Sequence, residues 1–225
     1  TVMNEYDHIL GFHKINAFRD AVHNSVGGKE NYFQVEERID FDPYTILGQK
    51  TKGGKITEKD CLVMQEIWKG PHTTGNDFLW YSFLPGGTFW NKIIPIGSFY
   101  YPLIGKRPKC FSLVEQYVHL AFEDPKKDLL HLKIRDFEKV FDTCIRKLGW
   151  LSCDHADLRP FANAGGKLII DHGLDDPLIP VEGTIDYYHH MREIHGGQNF
   201  IDRFCRLYIN PGDGHGNCHT NGPGM

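Results

Sequence analysis

The order of apolar and polar positions divides the chain into a helix-rich first part and a C-terminal part where strands alternate with a helix. In the first part, apolar side chains recur every three to four residues, which is the spacing of one face of an α-helix. This spacing predicts helices over residues 16–26, 58–69, 113–122 and 125–148.

Two of these helices have recognisable starts. Thr57 is followed three residues later by Asp60, a pairing typical of an N-cap, and Gly70 marks the end of that helix. Asp124 and Pro125 have the order of a cap and a first helical residue, so we predict that the fourth helix begins there. Its apolar stripe consists of Leu130, Ile134, Phe137, Phe141, Ile145 and Leu148.

The C-terminal part has the pattern of a βαβ unit. A short apolar run at 165–171 begins with two glycines and predicts a buried parallel strand, and a loop is predicted at 172–180. An amphipathic helix is predicted at 181–194, followed by a second strand at 204–209. Strand, helix and strand in this order imply a parallel sheet, so the fold class is α/β.

Bulk composition excludes several classes of protein. Lys and Arg number 25 against 29 Asp and Glu, which gives a net charge of −4 with no basic run, so a nucleic-acid partner is not expected. The longest mostly apolar stretch, 93–104, is interrupted by prolines and is shorter than a membrane span, so no membrane partner is expected. Residues 79–101 are rich in aromatic residues, glycine and proline, and they predict irregular structure.

The loops after the two predicted strands carry residues suited to catalysis. The first contains Asp175 and Asp176, and the second contains Asp213 and His215. Since neighbouring parallel strands end at the same sheet edge, an acid from the first loop can orient a histidine from the second. This is the Asp and His half of a hydrolase triad, in the chain order of α/β-hydrolases.

Other interpretations of these loops remain open. Asp before Pro is a common turn former, and glycine-rich loops often carry a solvated histidine. His215, Cys218 and His219 could instead bind zinc in a metal-dependent hydrolase. We expect no metal there, because no second cluster completes a four-ligand set, and we interpret His189 and His190 as an exposed helix face.

A nucleophile is the missing component. The chain has five serines, and none lies in the Gly-x-Ser-x-Gly pattern of a nucleophile elbow. The cysteines also lack such a context. We therefore leave the nucleophile unassigned and note that an acid and a base without a nucleophile cannot carry out acyl transfer.

Several blocks, in order, resemble the tannase/feruloyl esterase family. They are Asp-Leu-Arg-Pro-Phe at 157–161, Gly-Gly-Lys-Leu-Ile at 165–169, His-Gly-Leu-Asp-Asp-Pro-Leu-Ile-Pro at 172–180, Thr-Ile-Asp-Tyr-Tyr at 184–188, Phe-Cys-Arg-Leu-Tyr at 204–208 and Pro-Gly-Asp-Gly-His at 211–215. Upstream, residues 57–71, 80–81 and 85–87 are similar to that family's lid region.

The resemblance implies a function and a domain organisation. Asp176 and His215 would be the acid and base of a Ser-His-Asp esterase acting on phenolic-acid esters such as gallate or ferulate. Residues 1–155 would form the lid domain, with the end of the preceding core at its start, and 156–225 the last part of an α/β-hydrolase core. The serine would come from an absent N-terminal segment, so we expect no esterase activity from this chain alone. The family suggests secretion or a periplasmic location.

The chain also departs from the family pattern. The family's calcium loop is not matched in residues 24–37, so no cofactor is expected. The family's disulfide beside the triad histidine would have to use Cys218, because position 216 is glycine, and its partner is missing. The alternative function is a non-catalytic module, derived from the lid, that binds aromatic compounds or carbohydrate.

Overall fold

A computed structural model describes residues 1–26, 39–87 and 110–217 of the chain. The described helices are α1 (Val2–Glu5), α2 (Phe12–Ser25), α3 (Glu58–Lys69), α4 (Ser112–Phe122), α5 (Ile134–Leu148), α6 (Arg159–Asn163), α7 (Val181–Ile194) and α8 (Gln198–Ile201). The strands are β1 (Lys50–Thr51), β2 (Gly54–Lys55), β3 (Leu168–Gly173) and β4 (Cys205–Asn210), and 3-10 turns lie at Pro43–Ile46, Gly149–Leu151 and His215–Asn217.

Helix α3 begins and ends where the sequence predicts. The Thr57 hydroxyl accepts from the Asp60 backbone N–H at 3.3 Å, and the Asp60 carboxylate accepts from the Thr57 backbone N–H at 2.7 Å. This reciprocal capping satisfies two backbone donors that a helix start otherwise leaves unpaired. The helix ends before Gly70, which has a φ of +81°. A Cβ at this position would lie 3.0 Å from the Ser82 backbone nitrogen, so both the backbone conformation and the close approach favour glycine. Helix α2 is longer than predicted, because it begins at Phe12 instead of residue 16.

The start predicted for the fourth helix is wrong. Asp124 accepts from the Lys126 backbone N–H at 2.9 Å and so closes a turn, and α5 begins only at Ile134. At the start of α5, the Asp136 carboxylate accepts a hydrogen bond from the Lys133 backbone N–H at 3.1 Å. Leu130 therefore lies outside the helix, and Ile145, predicted on its buried stripe, is 53% exposed.

The C-terminal prediction of a βαβ unit is confirmed. β3 pairs with β4 in parallel, from Leu168 opposite Cys205 to Gly173 opposite Asn210. Helix α7 connects them over the predicted residues 181–194, and β3 ends two residues later than predicted. Both strands end at the same sheet edge, which brings the loops that follow them together.

Three groups of buried apolar side chains hold the described residues together. One packs α4 on α5, and another packs α7 and α8 on the strands, around Met191 and Phe204. The largest joins α2 and α3 to Leu174 and Val181, which follow β3. The N-terminal helices and the loop that carries Asp176 therefore share one core.

A polar contact also connects the N-terminal part to α7. The Tyr81 hydroxyl donates to the Asp186 carboxylate at 2.5 Å. A Cβ on Gly183, one turn earlier in α7, would lie 3.0 Å from the Tyr81 ring, so the glycine admits the aromatic ring. Burial, followed by the hydrogen bond to Asp186, raises the pKa of Tyr81 to about 12.

No helix within the described ranges 1–26, 39–87 and 110–217 has both the length and the apolar character needed to cross a bilayer. Of the predicted irregular segment, residues 79–87 lie in turns and extended loop, and the rest falls outside the described residues.

Candidate active site

The site lies where β3 and β4 end. The Leu174 N–H donates to the Asn210 carbonyl at 2.9 Å, and the Asp175 N–H donates to the Asp213 carbonyl at 2.9 Å. These bonds continue the parallel pairing into the two loops. A Cβ on Gly173 would lie 2.3 Å from the Asp213 carbonyl oxygen, so only glycine permits the loops to approach this closely.

Asp176 is held from both of its carboxylate oxygens. Its Oδ1 accepts the backbone N–H groups of Leu178 at 2.7 Å and Ile179 at 3.0 Å, and its Oδ2 lies 3.0 Å from Nδ1 of His215. The Asp176 side chain is only 5% exposed. The two bonds to Oδ1 form a turn within the loop itself, which fixes the carboxylate before any contact with the second loop.

The charged form of Asp176 is favoured despite its burial. Burial alone would raise the pKa of this carboxyl group, but the hydrogen bonds from His172, from the Ile179 and Leu178 N–H groups and from His215 outweigh it. The pKa of Asp176 therefore lies below its ordinary value. A carboxylate that stays ionised can orient an imidazole and stabilise its protonated form.

His215 lies at the start of the 3-10 turn that follows the β4 loop, and its side chain is 34% exposed. Gly216, the next residue, has a φ of +67°, a conformation that glycine adopts without strain. Because Nδ1 faces Asp176, the proton on the neutral ring belongs on Nδ1, and Nε2 is the nitrogen able to accept another proton. A buried acid that orients the imidazole, together with the partial exposure of the imidazole itself, makes His215 suited to act as a general base.

The other acids and histidines predicted for the site have different surroundings. Asp175 and Asp213 are buried, and their backbones join the two loops. His189 and His190 are exposed on α7, as predicted. The described residues contain no group of three or more His, Cys, Asp or Glu side chains arranged to hold a metal ion. Cys218, His219 and most of the segment 24–37 lie outside the described residues, so the zinc and calcium predictions stay untested.

The serines and cysteines are scattered. Ser25 donates to the Val22 carbonyl at 2.7 Å at the end of α2, Ser82 is buried beside Gly70, and Ser112 and Ser152 are exposed. Ser98 lies outside the described residues. The five cysteines within the described residues form no disulfide with one another, and the predicted disulfide of Cys218 lies outside that part of the chain.

Sequence reasoning missed His172. Its Nε2 lies 3.5 Å from Oδ2 of Asp176 and its side chain is 10% exposed, so a second imidazole contacts the same buried carboxylate. The available signal was a histidine four residues before the acid, at the end of a predicted strand. The sequence pattern predicts a loop at this position, where side-chain directions are not fixed.

Comparisons with known proteins agree on one family. Residues 107–225 match the family model described as tannase and feruloyl esterase. A probable feruloyl esterase of Arthroderma benhamiae is 26% identical over 215 residues, covering 90% of this chain and 36% of that protein. The tannase of Aspergillus oryzae is 24% identical over 191 residues, covering 79% and 31%. The chain thus spans about a third of the length of these relatives.

Solved structures show the same fold. The tannin acyl hydrolase from Aspergillus niger superposes with a TM-score of 0.74 at 23% identity, covering 98% of this chain and 44% of that one. Feruloyl esterase B from Aspergillus oryzae superposes with a TM-score of 0.69 at 18% identity, covering 96% and 41%. The βαβ unit and the helices before it therefore have the arrangement found in these esterase structures.

Proposed function

Because this chain belongs to the tannase and feruloyl esterase family, we propose that it carries the acid and the base of a carboxylic ester hydrolase. Asp176 is the acid and His215 is the base. The observation that carries the proposal is the 3.0 Å contact between His215 Nδ1 and the buried Asp176 Oδ2. The chain order, acid before histidine, is that of α/β-hydrolases.

Each residue has a defined role in acyl transfer. His215 Nε2 takes the proton of a serine hydroxyl as the oxygen attacks the ester carbonyl, and the imidazolium then protonates the leaving alcohol. Asp176 keeps the proton on Nδ1 and stabilises the imidazolium. In the second half-reaction, His215 removes a proton from water, which attacks the acyl-serine and releases the acid.

We further propose that the serine is supplied by polypeptide outside these 225 residues. None of the five serines lies in a Gly-x-Ser-x-Gly elbow. The spans covered in the relatives, 36% and 31% of their lengths, leave ample chain to carry a nucleophile. In this arrangement residues 1–155 are the lid domain, and 156–225 complete the hydrolase core.

The substrates proposed are aryl-acid esters, gallate or ferulate, since the relatives bear the names tannase and feruloyl esterase. Planar phenolic rings bind well against aromatic side chains. Trp80, half exposed and 5.4 Å from the Tyr81 ring centre, offers such a surface in the proposed lid.

The test compares turnover of methyl ferulate and methyl gallate by this chain and by the longer protein encoded by the reading frame that contains it. We expect turnover only by the longer protein, and a loss of at least about a thousandfold on His215→Ala or Asp176→Ala. His190→Ala, on the exposed face of α7, is the matched control and should retain full activity.

Two results would contradict the proposal in different ways. Turnover by the 225-residue chain that disappears on His215→Ala would show that the serine lies within it. Full activity of the longer protein carrying His215→Ala would remove the histidine from the mechanism.

A further inference from the structure

His172 connects strand β3, helix α7 and the loop after β3 that carries Asp176, which we call the acid loop. It is the penultimate residue of β3, and its side chain is 10% exposed. Its Nδ1 lies 2.7 Å from the Thr184 hydroxyl on α7, and its Nε2 lies 3.1 Å from the Ile179 carbonyl oxygen. The same Nε2 is 3.5 Å from Oδ2 of Asp176.

The chemistry of these neighbours fixes the tautomer of the ring. The two atoms near Nε2 are the carbonyl oxygen of Ile179 and a carboxylate oxygen of Asp176, and each of these oxygens can only accept a hydrogen bond. Nε2 of the neutral ring must therefore carry the proton. Thr184 can donate as well as accept, so its hydroxyl donates to the unprotonated Nδ1.

We propose that His172 is a positioning residue for Asp176, directing an Nε2–H at the carboxylate oxygen that contacts His215. The proposal rests on the role of Asp176 given above and extends it. Oδ1 is already fixed by the N–H groups of Leu178 and Ile179. The Nε2–H of His172 is shared between the Ile179 carbonyl at 3.1 Å and Oδ2 at 3.5 Å, so rotation of the carboxylate is restricted and His215 meets an oxygen whose position is set in advance.

The nearest acid on the same strand does not compete for His172. Asp171 is the preceding residue and points to the opposite face of β3, where Asn210 donates to its carboxylate. The groups that face the His172 ring are therefore Thr184 from α7 and Asp176 and Ile179 from the acid loop. The ring acts on the site through Asp176.

The test uses nuclear magnetic resonance of the 225-residue chain. Long-range proton–nitrogen spectra identify the tautomer of each histidine, and carboxyl carbon shifts give the titration midpoint of Asp176. We expect the Nε2–H tautomer at His172. We also expect His172→Ala to raise the Asp176 midpoint by at least about 0.5 pH unit, since a hydrogen bond to the charged form is lost. His172→Gln, which restores a donor, should recover at least half of that shift.

Controls separate this proposal from a general loss of structure and from the proposed function. His190→Ala removes an imidazole from the exposed face of α7 and should leave the Asp176 midpoint unchanged. An Nδ1–H tautomer at His172 in the unmutated chain would overturn the proposal even if His172→Ala fails to fold. An unchanged Asp176 midpoint in a folded His172→Ala would also overturn it.

Asp176→Asn identifies which idea has failed. If it changes the imidazole nitrogen signals of His215 while His172→Ala leaves the Asp176 midpoint unchanged, the pair of acid and base stands and only the role of His172 is wrong. If Asp176→Asn leaves the imidazole signals of His215 unchanged, the acid and base pairing itself is refuted.

Discussion

Two buried carboxylates, Asp60 and Asp176, each contact a histidine, but their remaining partners differ. Asp60, with a side chain that is 0% exposed, lies 2.7 Å from His8 Nε2 and 2.5 Å from Lys14 Nζ. Within the part of the chain that the structure describes, the ion pairs of Asp176 are both with histidines, His172 and His215.

The difference separates a structural carboxylate from one suited to proton transfer. The Lys14 ammonium lies 2.5 Å from Asp60, and this ion pair holds α2 against the start of α3. Asp60 also contacts His8, but both ion-pair partners of Asp176 in the described part of the chain are imidazoles. An imidazole is the side chain that gains and loses its charge near neutral pH, so the charge beside Asp176 can change during a reaction. Both carboxylates are also bonded by backbone N–H groups, which orient them equally well in the two places.

The largest expected effect tests this contrast by neutralising each acid in turn. Asp60→Asn leaves the Lys14 ammonium, 15% exposed, beside a neutral amide, and should destabilise the chain by about 3 kcal/mol. Asp176→Asn leaves no lysine ammonium without its carboxylate, so the cost should be about 1 kcal/mol. Urea unfolding measures the stability of both variants.

The control is Asp20→Asn. The Asp20 side chain is 60% exposed, so we expect the stability of this variant to lie within about 0.5 kcal/mol of the unmutated chain. Equal losses of unfolding free energy for Asp60→Asn and Asp176→Asn would contradict the distinction between the two sites.

A second prediction sharpens the comparison by separating the two loops that form the Asp176 site. A methyl group on Gly173 would be forced to within 2.3 Å of the Asp213 carbonyl, so Gly173→Ala should cost about 1–3 kcal/mol. It should also lengthen the His215–Asp176 contact, visible as altered imidazole signals in nuclear magnetic resonance spectra, while the His8 signal by Asp60 stays unchanged.

Gly149→Ala is the matched control for Gly173→Ala. Gly149 follows α5 with a helical φ of −59°, and among the described residues a Cβ there would meet the Ile145 side chain at 3.8 Å, an ordinary contact distance. The substitution should change stability by less than about 1 kcal/mol. A Gly173→Ala chain as stable as Gly149→Ala would show that the loops can separate at no cost.

The smallest expected effect is the dependence of stability on acid pH. Burial alone would raise the pKa of Asp60, but its bonds to Lys14, His8 and Thr57 outweigh burial and lower this pKa. The hydrogen bonds of Asp176 lower its pKa in the same way. A folded-state pKa below the unfolded value of about 3.9 gives stability that is present above that value and lost as pH falls through the folded pKa.

Urea unfolding at pH 6 and pH 3 measures this loss. The midpoint of the unmutated chain should fall, and Asp60→Asn and Asp176→Asn should each reduce the fall by about a few tenths of a molar. Asp20→Asn should show the same fall as the unmutated chain. A larger fall in either buried-site variant would contradict the sign of the effect.

The sequence predicted what local patterns and strand order determine. The Thr57–Asp60 cap spans three residues. The ends of parallel strands must meet, so topology predicts that an acid of the first loop approaches a histidine of the second. The choice of Asp176 and His215 came from the family resemblance. The Asp124–Pro125 helix start was wrong because an aspartate caps turns as readily as helices.

Long-range contacts could not be predicted in the same way. Lys14 and His8 reach Asp60 from 46 and 52 residues away, and no spacing rule connects such positions. His172 reaches Asp176 only because the acid loop turns back over the strand end. The requirement for glycine at position 173 likewise depends on a carbonyl 40 residues further along the chain.

The contact between Tyr81 and Asp186 makes the ultraviolet absorbance of Tyr81 sensitive to the packing of the N-terminal part against α7. With a pKa of about 12, the Tyr81 phenol stays neutral at alkaline pH values where an ordinary tyrosine ionises and absorbs in the near ultraviolet. The part of the alkaline absorbance change that Tyr81→Phe removes therefore reports whether the N-terminal part packs against α7, without any label attached to the chain.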